Sequence, residues 1–237
     1  GKSSLIAGWL RRQEVDHAWV TIDREDDDPG RFVTLLFRAL EPHLSGEESP
    51  PKTALGEGSH RELSDGPAVS ISNQLAERLR PLLLVIDDLH NIESPEIYGI
   101  LDSLLRLQPP GLHLVFITRE DPPLSLARLR AQGRLLEIRM EELGFTREET
   151  AHLFSAYGAV DLGPRHLAML QEKTEGWAAA LQLALFSVGR HSDASAFVEQ
   201  FSGNDRHVID YLMEEVLRSQ PEEIFDFLYR TSQLDRF

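Results

Sequence analysis

The apolar positions of this chain change period partway along its length. Leu82-Leu83-Leu84-Val85-Ile86 is an unbroken apolar run, led in by Pro81 and closed by Asp87-Asp88-Leu89-His90. Absence of alternation predicts a strand buried on both faces of a parallel sheet. Leu112–Thr118, entered through Gly111, reads as a second buried strand, and 17–23 and the short 135–138 are further candidate strands. Helical spacing fills the intervals. Leu5, Ile6, Trp9 and Leu10 predict a helix over 3–13, and Phe32, Leu35, Leu36, Ala39 and Leu40 predict another after the Asp28-Pro29 cap. Further helices are predicted over 68–80, 95–107 (capped by Ser94-Pro95) and 124–132. Residues 45–67, polar and rich in Gly, Pro and acids, predict a surface loop or disordered insertion.

Alternating helices and strands to about residue 140 predict an α/β fold with a parallel sheet. Beyond that point the pattern is helical throughout. Thr146-Arg147-Glu148-Glu149 is a capping box opening a helix to about Tyr157. Helices are then predicted over 164–173, 205–218 and 221–231. Trp177, Ala180, Leu181, Ala184, Leu185 and Val188 share one stripe, with Trp177 read as core. The expected division is therefore 1–142, an α/β domain, and 143–237, a helical subdomain. Both ends cut through elements, so the chain reads as a piece of something longer.

Composition narrows the function. The 237 residues carry 24 basic and 39 acidic side chains, a formal charge of −15, which argues against a general nucleic-acid surface. Cysteine is absent, excluding disulfides, thiolate nucleophiles and Cys-built zinc sites. No apolar run approaches a membrane span and no signal peptide opens the chain, so no membrane association and a cytoplasmic location are expected. Only Lys2, Lys52 and Lys173 among the 24 basic residues are lysine, which makes Lys2 conspicuous.

Lys2 stands in Gly1-Lys2-Ser3-Ser4, the tail of the phosphate-loop pattern G-x-x-x-x-G-K-[ST]. Such a loop grips phosphate through successive backbone N–H groups and a helix N-terminus. Gly1, Lys2, Ser3 and Ser4 are therefore candidate nucleotide-binding residues. Lys2 would reach the β- and γ-phosphates, and Ser3 would ligate Mg²⁺, which keeps most of its waters and needs few protein groups. Asp87, at the end of the buried strand, is the candidate second metal group, and Asp88 is placed to orient or deprotonate water. Thr118 or Arg119, ending the next strand, would touch the γ-phosphate; Arg128 and Arg130 are weaker candidates. The acids at 23–28 read as caps and a solvated turn rather than a cation site; His90, which follows the acid pair and could contact phosphate, reads rather as a loop or helix-start histidine.

These pieces lie in the order G-K-S-S-L-I-A-G-W, W-V-T-I-D-R-E-D-D-D-P-G-R-F, L-L-L-V-I-D-D-L-H, H-L-V-F-I-T-R-E-D-P-P-L-S-L-A-R-L-R, L-G-F-T-R-E-E-T and T-E-G-W-A-A-A-L-Q-L-A. That string resembles the nucleotide-binding core of the large MalT-like, LuxR-type transcriptional activators, which are STAND-class P-loop ATPases. The resemblance implies ATP or ADP with Mg²⁺ as a switch ligand, with slow hydrolysis resetting it. It matches Lys2 and Ser3 to the phosphate loop, Asp87 and Asp88 to the acid pair, and Arg119 to the polar sensor. It also sets Gly176-Trp177 where the helical subdomain faces the nucleotide. Inducer binding, self-association and promoter DNA binding are implied for a longer protein, the first and last through domains outside this chain.

The resemblance further implies an additional-strand sheet with its first strand missing. Strand 112–118 should then pair with 82–87, and 82–87 with 17–23, while 135–138 stands apart across the gap. Without the preceding strand and glycines, weak ATP binding is expected. Two rivals remain: a nucleotide-independent scaffold or oligomerisation module keeping a decayed site, and, less favoured, a P-loop kinase.

Overall fold

The computed structural model describes residues 1–44, 60–76, 78–107, 111–158, 162–188, 194–201 and 222–231. The chain divides into two compact units, Gly1–Glu137 and Ile138–Phe237.

The first unit is built on a three-stranded parallel sheet, β1 (Asp16–Thr21), β2 (Leu82–Asp87) and β3 (Leu112–Phe116), in the order β1-β2-β3. Trp19 pairs with Val85 and Val85 with Val115, so the expected neighbours of the central strand are the observed ones. All six residues of β2 are buried, as its unbroken apolar run requires. Pleating sends Leu82, Leu84 and Ile86 to one face. There they meet α2 (Pro29–Leu40), α3 (His60–Leu75) and α4 (Pro95–Leu107) through Phe32, Leu36, Ile71, Ile97 and Leu101. Leu83 and Val85 point the other way, against Ile6 and Leu10 of α1 (Lys2–Leu10) and Ile117. The turn into β3 is made by Gly111 at φ +87°, a backbone that glycine adopts without penalty.

Four sequence expectations are corrected here. The α1 stripe is narrower than its composition implied: Ile6 and Leu10 face the sheet, while Leu5 and Trp9 are 51% and 43% exposed. The 5/9 and 6/10 pairs are adjacent rows of one helix, and a single sheet face covers one of them. Helix α3 begins at His60, inside the stretch expected to be loop, and ends at Leu75 rather than residue 80. It tolerates an internal Pro67 because Ala68, Ile71 and Leu75 form a fully buried row, and tertiary packing outweighs local propensity. Residues 45–59, the rest of that expected loop, lie outside the described residues. Finally, 135–138 stands apart from the three strands as expected but does not form a strand, because among the described residues none flanks it to take up its N–H and C=O groups. The short helix α5 (Leu126–Ala131) precedes that segment, and Arg130 ties the two with hydrogen bonds of 2.8 Å to both carboxylate oxygens of Glu137.

The second unit is helical in every described element: α6 (Met140–Leu143), α7 (Arg147–Gly158), α8 (Pro164–Thr174), α9 (Ala178–Val188), α10 (Ala194–Gln200) and α11 (Glu222–Thr231). The expected helix over 205–218 lies outside the described residues. Its core gathers Phe154, Leu170, Leu181, Ala184, Val188 and Phe197. The capping box forms as expected: Glu149 N–H donates to Thr146 Oγ1 at 3.2 Å, and Thr146 N–H to Glu149 Oε2 at 2.9 Å. Trp177 departs from its expected core role. It stands one residue before α9, outside the first turn, and is 36% exposed, while the rest of the stripe turns inward. Lys173 closes this unit differently, its ammonium donating to the carbonyls of Val198, Glu199 and Phe201 at 3.0, 2.9 and 2.7 Å. These are terminal carbonyls of α10 and the residue beyond it, which lack helical partners. No helix among the described residues is long and apolar enough to cross a membrane.

Candidate nucleotide site

Parallel strands bring their C-terminal ends to one edge, and the helix that follows or precedes each strand opens there. Asp87 ends β2 at that edge and is 4% exposed. Its Oδ1 accepts the Ser3 hydroxyl at 2.9 Å, joining the first turn of α1 to the central strand across 84 positions of sequence. The same oxygen accepts the Asp88 N–H at 3.0 Å. The strand carries the carboxylate to this point through continuous ladder contacts. Ile22 N–H donates to the Asp87 carbonyl at 2.9 Å and Ile117 N–H to that of Ile86 at 2.9 Å.

Asp88 turns the chain out of the sheet. Its backbone is left-handed, φ 57° and ψ 38°, a conformation that costs a residue with a β-carbon about 1–2 kcal/mol. That turn starts a 3-10 segment, Leu89–Asn91, held back to the sheet by Leu89 N–H to Ile117 O at 3.1 Å and Asn91 Nδ2 to Ile22 O at 2.9 Å. The Asp88 carboxylate is left half-exposed at the sheet edge, beside buried Asp87.

His90, in the 3-10 turn as its helix-start reading had it, also stands beside this acid pair. Its Nδ1 is buried, has no hydrogen-bond partner, and lies 3.9 Å from Asp88 Oδ1. Burial pushes the imidazole below its ordinary pKa, and the charges of Arg119 and Lys2 push the same way, opposed by Asp88 and Glu120. Lys2 and Arg119 are thus close enough to His90 for their charges to be felt there. The available signal was its position in D-D-L-H: one 3-10 turn after an acid returns a side chain to the same edge.

The other expected residues fall as follows. Gly1 is the N-cap of α1 and its carbonyl accepts Leu5 N–H at 3.0 Å; Ser4 is exposed on the first turn. Thr118 spends its hydroxyl on the Glu120 carbonyl at 2.8 Å, within its own loop, and Arg119 is exposed. Gly176 lies in the second unit with φ +73°. A β-carbon on it would sit 2.5 Å from Phe145 O, so its lack of a side chain has a local cause. The acids at 23–28 are engaged as caps. Asp28 accepts Arg31 N–H at 2.8 Å, Asp27 accepts the N–H groups of Glu93 and Ser94, and Asp26 pairs with Arg31 at 2.6 Å. No group of three or more metal-ligating side chains occurs among the described residues.

A parallel α/β sheet with a helix opening on the acid that ends its central strand defines the P-loop NTPase-like class of fold, here accompanied by a helical unit. No family model matches the chain. It is 36% identical over 236 residues to the HTH-type transcriptional regulator MalT of Yersinia enterocolitica, and 33% and 32% identical to those of Serratia proteamaculans and Cronobacter sakazakii. In each case 99% of this chain is covered but 26% of the relative. The chain is MalT-like along its length and spans about a quarter of the regulators it matches.

Proposed function

We propose that the chain is the nucleotide-binding switch module of a cytoplasmic MalT-like transcriptional activator, with ATP and Mg²⁺ held between Lys2-Ser3 and Asp87. The observation that carries this reading is the 2.9 Å contact of Ser3 Oγ with Asp87 Oδ1. One hydroxyl and one buried carboxylate side by side suit Mg²⁺, which prefers oxygen and retains waters in its remaining positions. When bound, the ion would offset charge on the β- and γ-phosphates. Ser3 and Asp87 would hold it, Lys2 would neutralise the terminal phosphates, and the N–H groups at Ser3 and Ser4 would face the same charge from the start of α1.

Asp88, half-exposed and next in chain, is the group that would orient or take a proton from water. Arg119 would meet the γ-phosphate. Thr118, with its hydroxyl turned to Glu120, would serve the loop rather than the phosphate. Slow turnover suits a switch, in which ATP and ADP stabilise different states of the protein. DNA binding, self-association and inducer recognition belong, on this reading, to the longer regulator.

The test is Mg-ATP affinity of the chain against its Lys2→Ala variant, together with reporter activation by a regulator carrying each. At least a tenfold loss of affinity and loss of activation are expected. Equal affinity and equal activation would favour a scaffold whose site has decayed.

A further inference from the structure

Several arginines gather on the first unit at a place that Lys2 and Asp87 do not line. Between α4 and α5 is a cavity of about 270 Å³, with Arg106, Arg128 and Arg134 among its lining residues and buried Leu129 in its wall. Three arginines border it in a chain whose formal charge is −15. The lining carboxylate is Asp102, and it is committed to the start of α5, accepting Ser125 N–H at 3.2 Å. Arg106 is shared with Asp65, which also accepts the Ser103 hydroxyl at 2.6 Å, and Arg134 donates to the Leu105 carbonyl at 3.3 Å. Among the described residues the Arg128 side chain makes no hydrogen bond or ion pair, while its carbonyl accepts the Gln132 N–H at 3.1 Å.

Like charges brought together at one groove repel, and an anion between them relieves that repulsion. Guanidinium groups match carboxylate and phosphate oxygens in pairs. The groove has room for an anion of a few heavy-atom groups. We infer that the cavity between α4 and α5 binds a small multivalent oxyanion, carrying phosphate or carboxylate groups, through Arg106, Arg128 and Arg134. None of Gly1, Lys2, Ser3, Asp87 or Asp88 lines it; Arg128, a weaker γ-phosphate candidate in the sequence, does.

Calorimetric titration of the 237-residue chain tests this, using pyrophosphate and citrate as probes at low salt. The background is Lys2→Ala/Ser3→Ala with a chelator present, which removes the metal-linked phosphate-loop contribution. Saturable uptake of one probe or both is expected, falling at least tenfold on adding Arg128→Glu and less on Arg128→Gln. Preference for pyrophosphate assigns phosphate as the ligand class, and preference for citrate assigns carboxylate. Arg128 is exposed, so both variants should keep the parent's circular dichroism and urea midpoint. Absence of saturable uptake of either probe, or uptake unchanged by Arg128→Glu, would overturn the assignment.

Discussion

Replacing Gly176 by alanine separates two accounts of that residue. The new methyl would stand 2.5 Å from Phe145 O, 2.8 Å from Gln171 Nε2 and 2.9 Å from Phe145 N. Gly176 is also left-handed at φ +73°, which costs alanine about 1–2 kcal/mol before any contact is counted. To clear the clash, Phe145 must retreat. That strains its N–H bond to Gly176 O (2.9 Å) and the Gln171 Nε2 bond to its carbonyl (2.7 Å), each worth about 0.5–1.5 kcal/mol. The expected loss is about 2–4 kcal/mol. With a urea slope of about 1–3 kcal/mol/M, the midpoint should fall by roughly 1 M or more. Urea unfolding can be followed through Trp177 fluorescence in a Trp9→Phe/Trp19→Phe background. Gly144→Ala serves as control in the same unit: φ is −65° and the nearest contacts are 3.4 Å, so a change within about 0.5 kcal/mol is expected. If Gly176→Ala kept the parent's midpoint yet lost Mg-ATP affinity tenfold, the local explanation would be wrong and a nucleotide-facing role would replace it.

Two further outcomes follow from the geometry. Lys173→Met should destabilise the helical unit by about 1–3 kcal/mol, because three carbonyls lose a charged donor; an unchanged urea midpoint would show that water replaces it without loss. The His90 ring should titrate below the ordinary histidine value of about 6.5 in proton NMR, and Arg119→Ala should raise its midpoint. Because folding depresses this pKa, the unfolded chain takes up the proton more readily. Stability from His90 is therefore kept above the unfolded pKa and lost as pH falls through it toward the folded value. A midpoint at or above 6.5 would contradict the burial described for the ring.

Legibility from sequence followed the number of constraints acting on each segment. Leu82–Asp87 was readable because burial on both faces leaves no polar position to interrupt the run, while its neighbours β1 and β3 were implied by the family resemblance. Helix α4 was readable to the residue, since Ser94-Pro95 marks its start and its apolar stripe is buried throughout, against α3 and the sheet. The failures share a cause: a pattern shows that a residue is apolar, not how much surface exists to receive it. Leu5, Trp9 and Trp177 are apolar and partly uncovered; Ala68, Ile71 and Leu75 are covered, and hold helix across a proline that argued for loop. The run at 135–138 has strand composition but no neighbour to pair with among the described residues. Within the site, Ser3 and Asp87 were readable as a pair because chemistry fixes both residue types. His90 was not, since its burial depends on the left-handed turn at Asp88, a feature with no composition of its own.

The claim everything else serves is that Ser3 and Asp87 share one metal ion with a bound triphosphate. Electron paramagnetic resonance of Mn²⁺, standing in for Mg²⁺, counts metal taken up by the chain with and without ATP. Uptake that requires ATP and weakens at least tenfold in both Ser3→Ala and Asp87→Asn is the expected result. Uptake indifferent to ATP, or equal in the parent and both variants, would contradict the account.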